Sequence, residues 1–196
     1  MKILKQSAEL LWITENAEQI IERAGRTCYK SEDRITLDSS GAFIKRILES
    51  GHESVIEHAS ASILFICDRG VSHELVRHRL ASYSQESTRY CTYESGITVI
   101  EPPGLNVEES RIWIHHCEQA ELNYQKLLRL GCAAQIARSV LPTCLKTEIV
   151  TTTNLREWRH IFRLRRSSKA HPQIKEIMDS AYLLLNKQCP NVFGDL

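Results

Sequence analysis

The chain has 196 residues, and its 25 Lys plus Arg against 24 Asp plus Glu leave a formal charge of +1. That balance excludes a polyelectrolyte tail or a generic nucleic-acid coat, and 42% apolar residues exclude a disordered chain. The length suits one substantial core, so a single domain over 1–196 is expected.

The opening run, MKILKQSAELLWITEN, has short apolar pieces broken by Lys5 and Glu9 and no small-residue cleavage site. No stretch reaches the roughly 18–20 apolar residues of a membrane span, so a cytoplasmic protein with no membrane partner is expected. Asn16 is placed to cap a helix to Tyr29, with Ile20, Ile21 and Ala24 at helical spacing. A second helix fits Ser39 to Ser50, with Phe43, Ile44, Ile47 and Leu48 on one side and Gly51 past its end.

Ser60 to Cys67 reads as a strand closed by a turn at Asp68-Arg69-Gly70, after which Ser72 caps a short helix toward Leu80. Ser82 to Thr88 reads as a loop and Thr98 to Ile100 as a strand ended by Pro102-Pro103. A long helix from Val107 to Leu130 is closed by Gly131, and a shorter one from Ala133 to Leu141 stops at Pro142. Lys146 to Thr153 is β-branched enough for a strand, Asn154 caps a helix to Ser167, and Pro172 opens a last helix through Lys187. Helices outnumber the strands they separate, which gives an α/β or α+β class.

Seven cysteines, at 28, 67, 91, 117, 132, 144 and 189, form no CxxC pair and leave one over. Neither a disulfide framework nor a zinc ribbon is indicated, and reduced, mostly buried thiols are expected. Cys91, close after Arg89, admits a nucleophile as well as a small hydrophobe.

Arginine is unevenly placed: of 16, three lie between Arg77 and Arg89 and five between Arg156 and Arg166. On a helix starting after Asn154, Leu155, Trp158, Ile161, Phe162 and Leu164 share one arc, and Arg156, Arg159, His160, Arg163 and Arg166 fall opposite, as a solvated or ligand-facing surface. Arg165 projects into the apolar arc, where it either faces a ligand, forms an internal pair or snorkels out. The first cluster, Arg77-His78-Arg79, runs on to Ser87-Thr88-Arg89-Tyr90; such donors suit phosphate oxygens, although Glu74 and Glu86 could simply neutralise them.

The run ELVRHRLASYSQESTRY strongly resembles the RHR, seven residues, Ser pattern of the flavin-dependent thymidylate synthases. The resemblance extends through Gly51-His52-Glu53-Ser54, Glu57-His58, Ala137-Arg138-Ser139-Val140-Leu141-Pro142, Asn154-Leu155-Arg156 and Leu164-Arg165. It implies a central mixed sheet flanked by helices, in a homotetramer with active sites shared between subunits. The implied reaction makes dTMP from dUMP with methylenetetrahydrofolate as one-carbon donor, NADPH as reductant and FAD as redox carrier. FAD would be held without a GxGxxG loop, by Ser54, Arg77, His78, Arg79, Asn154, Arg156 and His160. The dUMP contacts implied are Glu74, Arg77, Gln85, Glu86, Ser87, Arg89, Arg138 and Arg165. Arg165 matches the family arginine that faces the uracil and stabilises charge there, making it the catalytic residue. His52 and Tyr90 are candidates for the folate side. Gln85 stands where many members carry an acid two positions before the motif Ser, which weakens the uracil and ribose contacts assigned to it and Glu86.

Two rival functions have sequence features of their own. In HESVIEH the histidines are six apart, unlike HExxH or HxxEH, so no metal is expected. An Arg-rich RNA-binding module is the alternative function, against which stand 7% aromatic residues, the +1 charge and the lack of RNP, KH or zinc-finger patterns.

Overall fold

The computed structural model describes all 196 residues. Its strands are β1 (Lys2–Leu4), β2 (Ser7–Ile13), β3 (Ser60–Asp68), β4 (Ser82–Gln85), β5 (Thr98–Ile100) and β6 (Lys146–Asn154). Its helices are α1 (Ala17–Thr27), α2 (Ser39–Glu49), α3 (Arg69–Leu75), α4 (Val107–Arg129), α5 (Ala134–Ala137), α6 (Leu155–Arg165), α7 (Pro172–Gln188) and α8 (Pro190–Phe193), with 3-10 turns at Glu32–Arg34, Glu53–His58 and Arg138–Val140. A four-stranded sheet has the order β2-β3-β6-β4, and β1 pairs in parallel with β5. The class is mixed α/β. No helix is long and apolar enough to cross a membrane.

The chain forms two compact units from interleaved segments. The first comprises Met1–Ser7, Phe65–Arg77 and Ser84–Ile149; the second comprises Ala8–Leu64, His78–Tyr83 and Val150–Leu196.

In the first unit, Ile97, Val99, Cys117 and Leu145 form a buried cluster against which Trp113 and Tyr93 pack. Helix α4 starts where Asn106 and Glu109 form a reciprocal capping box, which satisfies otherwise orphaned N–H groups. Glu121, further along α4, ties down the N-terminal amine and accepts the Ile97 N–H at 2.8 Å.

In the second unit, Leu155, Trp158, Ile161 and Phe162 are the buried face of α6. Trp158 stacks on Phe162 and donates its indole N–H to the Ala61 carbonyl at 3.1 Å, so the polar end of a large buried ring is satisfied. Helices α1 and α2 meet at Gly25: a Cβ there would lie 2.7 Å from Phe43 Cε1 and closer still to Cζ. Only glycine allows that approach.

Several expectations change in detail. Asp68 does not close a turn; its carboxylate accepts the Val71 N–H at 2.7 Å and caps α3, which ends at Leu75, short of Leu80. Ser82–Gln85 is a strand rather than loop. Asn16 has φ 51 and makes no side-chain cap. The helix expected to Leu141 shortens to α5 plus a 3-10 turn. Leu164 is 49% exposed and leaves the apolar arc, whereas Arg159 is 1% exposed and belongs to no solvated face. Strands β1 and β2 were not expected, because their apolar pieces are short and interrupted by charge.

Candidate active site

The residues expected at dUMP fall mainly in the first unit. Gln85, at the end of β4, donates through Nε2 to Ser72 Oγ at 2.9 Å and Thr147 Oγ1 at 3.1 Å. These hydroxyls fix the amide orientation, and a neutral amide suits them without the cost of a buried carboxylate. Glu86 does not neutralise an arginine: it accepts from Tyr93 OH at 2.7 Å and Lys146 Nζ at 3.0 Å. Burial opposes the Lys146 charge, but its bonds to Glu148 and Glu86 outweigh that and raise its pKa. Burial and the Glu86 hydrogen bond push the Tyr93 phenol up, keeping it a donor.

After Glu86 the backbone turns tightly. Tyr90 and Cys91 N–H groups both donate to the Ser87 carbonyl, at 3.2 and 2.9 Å, and the Arg89 N–H reaches Ser87 Oγ at 3.3 Å. The Arg89 guanidinium lies over the exposed Tyr90 ring. Arg138, in the turn after α5, donates to Thr88 Oγ1 at 3.0 Å. Arg138 and Thr88 line a cavity of about 310 Å³ with Arg69, His73 and Ser139. Arg69 Nη1 is buried without a hydrogen-bond partner. A guanidinium nitrogen left so beside a second Arg and hydroxyls is chemically matched to an anion. Glu74 and Arg77 lie at the end of α3, where Arg77 is exposed.

The second unit holds the residues expected at the flavin other than Arg77, together with Arg165. His78 is 5% exposed; its carbonyl accepts from Tyr83 OH at 2.8 Å and its ring packs edge-on to His160. Arg165 Nε donates to His78 Nε2 at 3.0 Å, and Glu157 Oε1 lies 3.7 Å from Nδ1. Burial, then the charge of Arg165 and that of His160, lower the His78 pKa from 6.5 to about 4. The ring is neutral at pH 7. Burial raises the Glu157 pKa against the opposing influence of His160 and Arg156.

A groove of about 560 Å³ is lined by Asn154, Arg156, His160, Glu157, Glu53 and Arg163, among others. Asn154 uses its side-chain oxygen to cap α6 at Glu157. Arg156 pairs with Glu57 at 2.5 Å and Arg163 with Glu53 at 2.9 Å. Burial would raise the Glu53 pKa, but the Arg163 bond and the charges of Arg163, Arg159 and Arg156 lower it overall. A second groove, of about 620 Å³, contains His52 and Ser54 with Arg26, Arg34, Arg46 and Tyr29. Arg79 is exposed.

Arg156, Arg159, Arg163 and Arg166 are each paired to Glu53, Glu57, Asp179 or Asp195, so α6 offers no unneutralised basic stripe for RNA. His78, Glu157 and His160 bring three ligand atoms within 4.8 Å of one another, a grouping that HESVIEH did not suggest. Yet Arg165 donates to the same imidazole, setting a fixed positive charge against any cation there.

Arg69, Thr88 and Glu157 were missed as site residues. Arg69 reads as part of a turn and lies outside both Arg clusters, Thr88 sits inside the ELVRHRLASYSQESTRY run without a role of its own, and Glu157 carries no motif, so no local signal marks Arg69 or Glu157.

Fold and donor set together define an α/β protein equipped for phosphate-bearing ligands through side chains rather than a glycine-rich loop. A family model described as "Thymidylate synthase complementing protein" matches residues 9–191. Relatives named flavin-dependent thymidylate synthase include one from Corynebacterium efficiens, 34% identical over 96% of this chain and 84% of its own. Others come from Geobacter sulfurreducens, 34% identical over 95% and 84%, and Mycobacterium avium, 35% identical over 94% and 82%. A crystal structure of the UMP/dUMP methylase PolB from Streptomyces cacaoi, bound with 5-Br dUMP, shares the fold at TM-score 0.87 and 24% identity, covering 99% of this chain and 96% of that one. The chain belongs to the flavin-dependent thymidylate synthase family.

Proposed function

We propose that the protein converts dUMP to dTMP, with methylenetetrahydrofolate as one-carbon donor, NADPH as reductant and FAD as redox carrier, in the cytoplasm and as a homotetramer. The observation that carries this reading is the Arg165 to His78 bond, which joins the RHR block to the Leu164-Arg165 block across 87 residues. Motif blocks so distant in the chain meet at one atom pair, as a shared site requires.

Ser87, Arg89 and Arg138 take the dUMP phosphate through a hydroxyl and two guanidinium forks, and Arg69 and Thr88 extend that anion site. Gln85, held by Ser72 and Thr147, turns its remaining amide capacity to the nucleoside, beside Glu74 and Glu86. Arg165 holds a positive charge at the pyrimidine, where negative charge develops. The donor chemistry fits a flavin: Arg77, Arg79, Arg156, Ser54, Asn154 and His160 offer guanidinium, hydroxyl, amide and imidazole donors to a pyrophosphate and ring edges, His78 orders the site with its two ring nitrogens turned to Arg165 and Glu157, and His52 and Tyr90 serve the folate side. Bound FAD supplies the redox and one-carbon transfer chemistry; the protein binds, orients and excludes water. Arg77 serves both ligands, which suits a site completed by another subunit.

The visible spectrum of the purified protein with added FAD tests the cofactor assignment. A flavin band that stays with the protein through gel filtration is expected, and it weakens in Arg156→Ala. Failure to retain FAD contradicts the assignment.

A further inference from the structure

We propose that Glu157 is a positioning residue for Arg165, acting through the imidazole of His78. The consequence for turnover rests on the synthase reading above; the geometry does not.

A guanidinium has N–H donors and no acceptor, so the 3.0 Å bond from Arg165 Nε requires a bare Nε2 on His78. A buried ring beside Arg165 and His160 disfavours a second proton. The single ring proton therefore sits on Nδ1, which faces Glu157 Oε1 at 3.7 Å. That separation is longer than a hydrogen bond; the carboxylate acts on the Nδ1 proton as a nearby negative charge in a buried setting. Glu157 favours the Nδ1–H tautomer, and that tautomer alone can receive Arg165.

Position along α6 makes this contact mechanical. Glu157 stands in the first turn and Arg165 in the last, so His78 braces one end of the helix against the other. The Glu157 backbone is itself fixed, its N–H donating to Asn154 Oδ1 at 2.9 Å. The remaining charged or titratable neighbours are His160, edge-on to His78, Arg156, which acts on Glu157, and Tyr83, whose hydroxyl donates to the His78 carbonyl. With Nε held, the guanidinium plane is set before substrate arrives, which removes a reorientation cost from the reacting complex.

Two-bond proton–nitrogen NMR of the full-length protein at pH 7, with His78 assigned through His78→Gln, reads the tautomer directly. The expected spectrum is a neutral His78 protonated at Nδ1; a ring protonated at Nε2 overturns the proposal. Glu157→Ala is expected to mix the two tautomers and to lower kcat about tenfold or more, with a smaller change in dUMP affinity. Glu157→Gln keeps an acceptor oxygen and recovers most of the rate. Glu157→Ala with an unchanged spectrum and wild-type kcat also overturns the proposal. Should Glu157→Ala fail to fold, the wild-type spectrum and Glu157→Gln decide. A wild-type protein that makes no dTMP yet shows the Nδ1 tautomer refutes the synthase reading and leaves the brace standing.

Discussion

Asp195 grips Arg159 fork to fork, with its two oxygens 2.5 and 2.6 Å from Nη1 and Nη2, although Arg159 is 1% exposed and Asp195 lies almost at the chain's end. Arg159 also donates to the Val192 carbonyl, so α6 is fastened to the C-terminal segment by one side chain. The Asp195 pKa is lowered first by its Arg159 bond, against burial. Asp195→Ala is expected to lower unfolding free energy by about 1–2 kcal/mol, discounted from a fully buried pair because the carboxylate is half exposed. Urea denaturation checks this. Arg159→Leu should cost less than Arg159→Ala, since both leave Asp195 unpaired but leucine leaves the smaller cavity.

That pair also shows where sequence reasoning stopped. Helical phase put Arg159 outside the apolar arc, on a solvated or ligand-facing surface; phase describes one helix and is blind to a later segment covering that face. The same limit applies to Leu164, which phase buried and the structure exposes. Long elements were legible because their apolar spacing or end signals are local: α4 with Gly131 just past its end, α6 with Asn154, and β3 with its near-continuous apolar run. Strand β4 was hidden in a polar run because pairing, not propensity, makes it a strand. At the site, the RHR-to-Ser segment and Arg165 were legible as a pattern. Glu157 and Arg69 were not, because their roles depend on neighbours distant in sequence.

Gly25→Ala is expected to destabilise by about 1–3 kcal/mol, as a methyl group overlaps the Phe43 ring between α1 and α2. Trimming the ring with Phe43→Leu in the same chain should recover part of the loss. A stability for the double variant no higher than that of Gly25→Ala would rule out this clash as the cause.

Stability should also depend on pH through His78. Its folded pKa, about 4, lies below the ordinary 6.5, so between these values the unfolded chain binds more protons. This contribution is fully present above about pH 6.5 and is lost as pH falls toward about 4. Denaturation curves across that window should show a shallower loss in His78→Gln than in the wild type. Equal slopes would contradict a neutral buried imidazole.

Thiol labelling of the native protein should begin at exposed Cys28 and Cys91. Cys67 and Cys189 are buried and pushed up to about 12, chiefly by burial, so thiolate is scarce at both. Timed alkylation followed by peptide mapping reads the order, and early labelling of Cys67 would contradict it.

Arg138→Ala is expected to weaken dUMP binding about tenfold to a hundredfold, the worth of a charge-assisted bond, with little change in thermal stability because Arg138 is exposed. Arg69→Ala should act in the same direction if its buried Nη1 meets the phosphate. Calorimetric titration with dUMP measures both, and uridine-based ligands without phosphate should not distinguish the variants from wild type.

The most direct measurement is tritium release from dUMP labelled at C5, with product analysis for dTMP, in purified protein given FAD, methylenetetrahydrofolate and NADPH. Release matched by dTMP, abolished by omitting the folate donor or NADPH and strongly reduced in Arg165→Ala, is the result expected. A folded protein that binds FAD and dUMP yet forms no dTMP, or an Arg165→Ala variant with full activity, would contradict the account.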